Sequence, residues 1–264
     1  MLEDPELGLH KRDAEAAEVN KKRMQNKGVR RFFEIFTGNF RDLVKLNLLF
    51  CICALPTTGT FLLGFFGVLT GVMYILSIIA AFPIGGAIAA NMFCITKMLR
   101  DEPGFIWHDF KRKFKENYKQ AAVPGILGAA FVYAQIFLWG GMVMSGGGIG
   151  IGLIILGVVV LLLFGMVAPY IFLQIAYIDL KTSQILKNSV LISFMNAPRS
   201  FMGAVTGCAV WAAFAAFLPD SLIAAPLIAL ICFSLSLLLC VMWIWAPVNK
   251  QFNIEQTLRT RAAP

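Results

Sequence analysis

Four stretches of this chain contain no Asp, Glu, Lys or Arg: residues 46–96, 120–178, 200–219 and 221–249. A bilayer core excludes formal charge and takes about 20 apolar residues per helix, so the first two stretches each hold two spans joined by a hairpin. The last two hold one span each, separated only by Asp220. The fold expected is all-α, a polytopic membrane helix bundle with six transmembrane helices. Residues 153–165 are apolar on every face and lack the period-two alternation of a membrane β-barrel. The chain is 58% hydrophobic and 14% charged. Soluble domains hold about 45–50% and 25%, which excludes an ordinary soluble enzyme.

The basic residues test this frame. Lys11, Arg12, Lys21, Lys22, Arg23, Lys27, Arg30, Arg31, Arg41 and Lys45 precede the first span. Lys97, Arg100, Lys111, Arg112, Lys113, Lys115 and Lys119 lie between spans two and three, Lys181, Lys187 and Arg199 between four and five, and Lys250, Arg259 and Arg261 after span six. These are all 23 Lys and Arg residues, and the opposite face carries only Asp220. Positive charge in short loops stays cytoplasmic, so both termini are expected inside. The net charge of +8 therefore reports topology before any partner, and nucleic acid is not expected.

Three regions follow: a charged cytoplasmic arm at 1–40, the six-helix domain at 41–250 and a short cytoplasmic tail at 251–264. Within the arm, residues 1–20 are acidic and residues 21–31 carry six positives with no acid, a strong topology signal that would also attract anionic lipid. Residues 11–36 are rich in helix formers, which predicts a helical arm. The arm lacks a short apolar region with a small-residue cleavage site, so span one is expected to act as its own insertion signal. All six cysteines lie in the spans, where a thiol behaves as a small hydrophobe; they imply neither a disulfide framework nor a metal.

Pro56 and the Phe82-Pro83-Ile84-Gly85-Gly86 run would each break or kink a helix, and the first hairpin is expected to turn near 67–71. The second hairpin is expected to turn through Gly140-Gly141 and residues 145–148, the third at 218–221. In residues 105–119 the aromatics Trp107, Phe110, Phe114 and Tyr118 recur at helical spacing, with Lys111, Arg112 and Lys113 on other faces. This predicts a basic amphipathic helix along the inner leaflet or on a partner. His108-Asp109 is read as a solvated pair on it. Residues 182–196 form a second, less basic segment, with Ile185, Leu186, Val190, Leu191, Phe194 and Met195 as its apolar residues.

Leu55-Pro56-Thr57-Thr58-Gly59 matches a sortase signal by letters, but five spans follow it where that signal needs a terminal one. Gly67/Gly71 and Gly203/Gly207 are small-xxx-small pairs that let helices approach closely, within one chain or, for the second pair, in a homodimer. No span contains an ionisable acid or base, which argues against a proton relay. The remaining interior polarity, Asn47, Asn91, Gln135, Tyr170 and Gln174, serves either as interhelical glue or as a substrate path; glue is the commoner use. His10 and His108 stand near no candidate nucleophile or carboxylate cluster, so no catalytic residue, cofactor or metal site is expected.

The residues Leu46-Asn47-Leu48-Leu49-Phe50 with Leu55-Pro56, the loop from Leu99-Arg100-Asp101-Glu102-Pro103 to Gln120, and Leu186-Lys187-Asn188-Ser189 with Pro198-Arg199 resemble the YesL-like family. This is a bacterial multi-pass membrane domain of unknown function. The resemblance implies a bacterial plasma-membrane protein whose genes tend to lie beside carbohydrate importers and polysaccharide-degrading enzymes; it carries no established site residues. The expectation is a non-enzymatic accessory or regulatory component of oligosaccharide uptake, partnered by the bilayer and an importer subunit. Trp107, Phe110, Lys111, Arg112, Lys113, Phe114, Lys181 and Lys187 are its candidate lipid or partner contacts. The alternative is a permease subunit that docks a cytoplasmic ATPase through residues 179–198.

Overall fold

Every element among the described residues is helical. The computed structural model describes residues 28–144, 151–217 and 228–262. The acidic segment, most of the basic cluster, and the turns expected at 145–148 and 218–221 lie outside the described residues. A short helix α1 (Val29–Gly38) leads into α2 (Phe40–Phe65), and α3 (Thr70–Ile79) returns into α4 (Phe82–Leu99). Then come α5 (Ile106–Met144), α6 (Ile151–Tyr177), α7 (Thr182–Met195) and α8 (Ala197–Phe217). A π-helical segment, Ile228–Cys232, opens α9 (Phe233–Phe252), and α10 (Ile254–Ala262) follows.

Among the described residues, five helices are long and apolar enough to cross a membrane: α2, α3 with α4, α5, α6, and α9 with part of the π segment. Large apolar side chains such as Leu55, Phe65, Ile75 and Leu156 are exposed around them. That exterior fits a multi-pass membrane protein, where lipid-facing positions carry apolar side chains. The further helix α8 is 21 residues long and packs on α6 and α9.

Proline placement departs from the sequence expectation. Pro56, Pro124, Pro169 and Pro247 all sit inside continuous helices. Neighbouring helices and Ser/Thr hydroxyls can satisfy the backbone groups that proline frees in such bundles. Pro83, by contrast, marks a break, at the start of α4. The first hairpin turns where expected, with Gly67 at φ 87 and Leu69 at φ 40. Gly140 and Gly141 do not begin a turn; α5 runs through them to Met144.

The core is organised on α4, which packs against α2, α5, α6 and α9. Residues 89–96 of α4 are all buried. Its small residues make that possible: a Cβ added at Gly85 would lie 1.9 Å from the Ala121 carbonyl oxygen, so α4 and α5 cross backbone against backbone. The expected small-residue pairs behave differently from each other. Gly67 and Gly71 would meet nothing within 4 Å. Gly203 and Gly207 pack on Cys240, Trp243 and Ile244 of α9, so the pair offered for a homodimer is occupied within the chain.

Candidate functional site: the charged end of the bundle

The polar residues inside the spans do not converge on one path. Asn47 is fully buried on α2, and its Oδ1 accepts the Ser234 backbone N–H at 3.0 Å. Ser234 follows the π segment, where the shift from four- to five-residue spacing disturbs the backbone ladder. Tyr170 and Ser200 hydroxyls are 2.9 Å apart, and Ser200 donates to the Ser193 carbonyl at 2.9 Å. Gln174 Nε2 donates to Ser189 Oγ at 2.8 Å. These bonds fasten α7 and α8 to α6. Gln135 lies elsewhere, accepting Trp139 Nε1 at 3.0 Å beside an apolar hollow of about 520 Å³ that Val132 and Leu161 also line. Asn91, at 0% exposure, has no hydrogen-bond partner among the described residues.

The basic aromatic segment is the first part of α5 and not a separate helix along the leaflet. At 39 residues α5 extends about 58 Å, well beyond the hydrocarbon core. Phe110, Phe114 and Tyr118 stack in series, with centroids 6.1 and 6.4 Å apart, and this stripe faces Gly86 on α4. An aromatic row needs an apolar partner, and the glycine face of α4 supplies it within the chain. Lys113 Nζ lies 4.9 Å from the Phe93 ring centroid and Arg112 Cζ 5.8 Å. Trp107, Lys111, Lys181 and Lys187 remain exposed. Asp109 corrects the solvated-pair expectation: it is buried, with Lys97 Nζ at 2.8 Å and Arg112 Nη2 at 3.2 Å.

Around Asp109 the structure gathers residues that sequence reasoning did not single out. Helix α4 ends with Asp101 in the left-handed conformation at φ 54. Its N–H donates to the Met98 carbonyl at 3.2 Å, and the next N–H, of Glu102, donates to Lys97 at 3.0 Å. That pairing is a Schellman cap, with Asp at the site glycine usually holds. The cap turns the Asp101 carboxylate toward α1, where Arg31 Nη2 donates to it at 2.5 Å and to the free Leu99 carbonyl at 2.9 Å. A cation at a helix C-terminus also complements the macrodipole. Beside this pair lies a cavity of about 340 Å³ lined by Arg31, Glu34, Asn39, Asp101 and Glu102 among others.

Arg100 closes the other side. Its Nη2 donates to Glu102 Oε2 at 3.0 Å and to the Tyr177 hydroxyl at 3.2 Å. Its Cζ stands 5.2 Å from the Trp245 ring and 5.5 Å from the Tyr177 ring, within cation–π range. Tyr177 also bonds Thr96, and Trp245 Nε1 donates to Glu255 of α10 at 3.2 Å. One end of the bundle therefore joins α1, α4, α5, α6, α9 and α10 through matched charges and two aromatic rings. The available signal was the Arg100-Asp101-Glu102 triplet closing the first charge-free stretch. Such an arrangement holds helices in register and presents charge to the aqueous phase. Among the described residues, no group of three or more His, Cys, Asp and Glu side chains could hold a metal ion.

No curated protein and no solved structure matches the chain. The family described as "Protein of unknown function, DUF624" matches residues 43–139, from α2 through most of α5 and including the loop that carries Arg100 and Asp101.

Proposed function

We propose that this chain is a non-enzymatic membrane protein of six spans, with both ends cytoplasmic, that serves as an accessory component of carbohydrate uptake in a bacterial plasma membrane. The observation that carries the topology is the meeting of α1 and α10 at one rim. Helix α1 reaches the end of α4 through Arg31, and α10 reaches the same end through Glu255 and Trp245. With α1 and α10 on one side the number of crossings between them is even, which supports counting α8 as a sixth. The rim carries the basic residues of the loops, which supports a cytoplasmic rim.

The accessory role is supported by how interior polarity is spent. Tyr170, Gln174 and Asn47 are engaged in bonds between helices, the use expected of a packed scaffold. The link to sugars rests on the YesL-like resemblance. Pull-down from detergent is expected to recover an importer subunit, and deletion of the gene to slow growth on one polysaccharide. Unchanged growth on every glycan tested overturns the carbohydrate role, and turnover of a lipid or glycan by the purified chain overturns the non-enzymatic one.

A further inference from the structure

Helix α7 buries two serines beside two isoleucines, and its C-terminal half is apolar on the outside. Its buried face carries Ile185, Ser189, Ile192 and Ser193, with Ser189 bonded to Gln174 and the Ser193 carbonyl bonded to Ser200. Its other face carries Leu186, Val190, Leu191, Phe194 and Met195, all exposed, Leu191 at 60% and Met195 at 68%. At about 100° per residue these five occupy roughly half the helix circumference. A helix capping a protein in water carries polar side chains on that outer face.

Depth points the same way. Ser200, just after α7, bonds Tyr170, which lies about two turns, or roughly 10 Å, before the end of α6 at Tyr177. A Cβ at Gly165 would come 3.1 Å from Ala204 Cβ, which continues the same register upward. The chain therefore climbs along α6 while it forms α7, and does not run beneath the bundle. The outward face is continuous with exposed Phe201 and Met202 on the flank of α8. Lys181, Gln184 and Lys187 are exposed in the N-terminal half.

We propose that α7 is an inner-leaflet helix that enters obliquely from the headgroup level, with Val190, Leu191, Phe194 and Met195 against lipid acyl chains. Lys181 and Lys187 sit at the phosphate level, where a lysine stem lies along apolar surface and its charge reaches water. The inference rests on the proposed topology for its inner-leaflet placement and is independent of the accessory role. It also removes this face from any cytoplasmic ATPase.

The test uses the full chain in nanodiscs of phosphatidylethanolamine and phosphatidylglycerol, which expose both membrane faces. Lys187→Cys, Leu191→Cys and Met195→Cys are each treated with a membrane-impermeant maleimide, against the unsubstituted chain as background for its native cysteines. Leu191 and Met195 are highly exposed, so their replacement leaves the packing intact. Position 187 is expected to label at least about tenfold faster than 191 and 195, because the reagent does not enter the hydrocarbon region. A fluorophore attached at 195 is expected to be quenched by nitroxide on the acyl chain. Equal labelling at the three positions overturns the proposal. Slow labelling at 191 and 195 without lipid quenching at 195 overturns it too, since protein and not lipid then covers the face.

Discussion

Replacing Gly85 by alanine attacks the tightest glycine contact among the described residues. The added Cβ would lie 1.9 Å from the Ala121 carbonyl oxygen and 2.7 Å from its carbon, and a Cβ at Gly125 would lie 2.6 Å from the Gly85 nitrogen. The obstacles are backbone on both sides, so no side chain can swing away. Restoring ordinary van der Waals contact requires α5 to move off α4 by about 1.5 Å, and a gap of even 0.5–1 Å forfeits about a quarter to a half of the dispersion energy of each facing pair. Lipid is as apolar as the helices and supplies no hydrophobic force to re-seal them. Overpacking costs about 1–3 kcal/mol, and the lost contacts along the interface add to it. Alanine returns about 1 kcal/mol through its better helix propensity. The net loss expected is about 3 kcal/mol. Reversible unfolding in bicelles measures it, with Gly59→Ala as the control: Gly59 is also helical but has nothing within 4 Å. The control is expected to be neutral or stabilised by up to about 1 kcal/mol. If Gly85→Ala unfolds within about 0.5 kcal/mol of Gly59→Ala, the backbone crossing does not hold α4 to α5 and the reasoning fails.

Arg31→Ala is expected to destabilise by about 2 kcal/mol, because it strands the Asp101 carboxylate and the Leu99 carbonyl in a partly buried site. The loss should be local: hydrogen exchange is expected to rise across α1 and at the end of α4, while the middle of α4 stays protected. Asn47→Ala leaves the Ser234 N–H without its acceptor in an apolar interior and is expected to cost about 1–2 kcal/mol. A bicelle unfolding midpoint unchanged by Asn47→Ala would mean that the π segment accommodates itself without help from α2.

Architecture was legible where it rests on exclusion of charge. The charge-free stretches located the spans, and the glycine-rich turn at 67–71 marked the first hairpin, because a left-handed residue is needed there. Helix interiors were less legible. Four prolines that would end a helix in water stay inside continuous helices, since a bundle offers the freed carbonyls other partners. The effective small residues were Gly85 and Gly125, which do not form a small-xxx-small pair within one helix; their meeting is a property of two helices that a linear pattern does not contain. The basic aromatic segment was read correctly as a helix, but its apolar row found α4 before it could find lipid. Asp109 and Arg100 looked like surface charges because their burial depends on helices arriving together: Lys97 of α4 meets Asp109 of α5, and the rings of Tyr177 and Trp245 close over Arg100.

The distribution of these bonds separates the bundle into two halves with different mechanical character. At the charged end, α4 is tied to α1 by Arg31, to α5 by Lys97 and Asp109, and to α6 and α9 by Arg100. Each tie uses a charged side chain at most 18% exposed, with a partner in place, so loosening one leaves an uncompensated group and is opposed. At the other end, Ser77 is the one buried residue of α3, and the loop from α2 to α3 is glycine-turned and exposed. Few buried contacts mean low local stability. Among the described residues, ties between side chains are therefore densest at the charged rim and sparsest around α3. The helix that links that rim to the core is α4, which carries the charged ties at its end and the buried residues 89–96 in its middle.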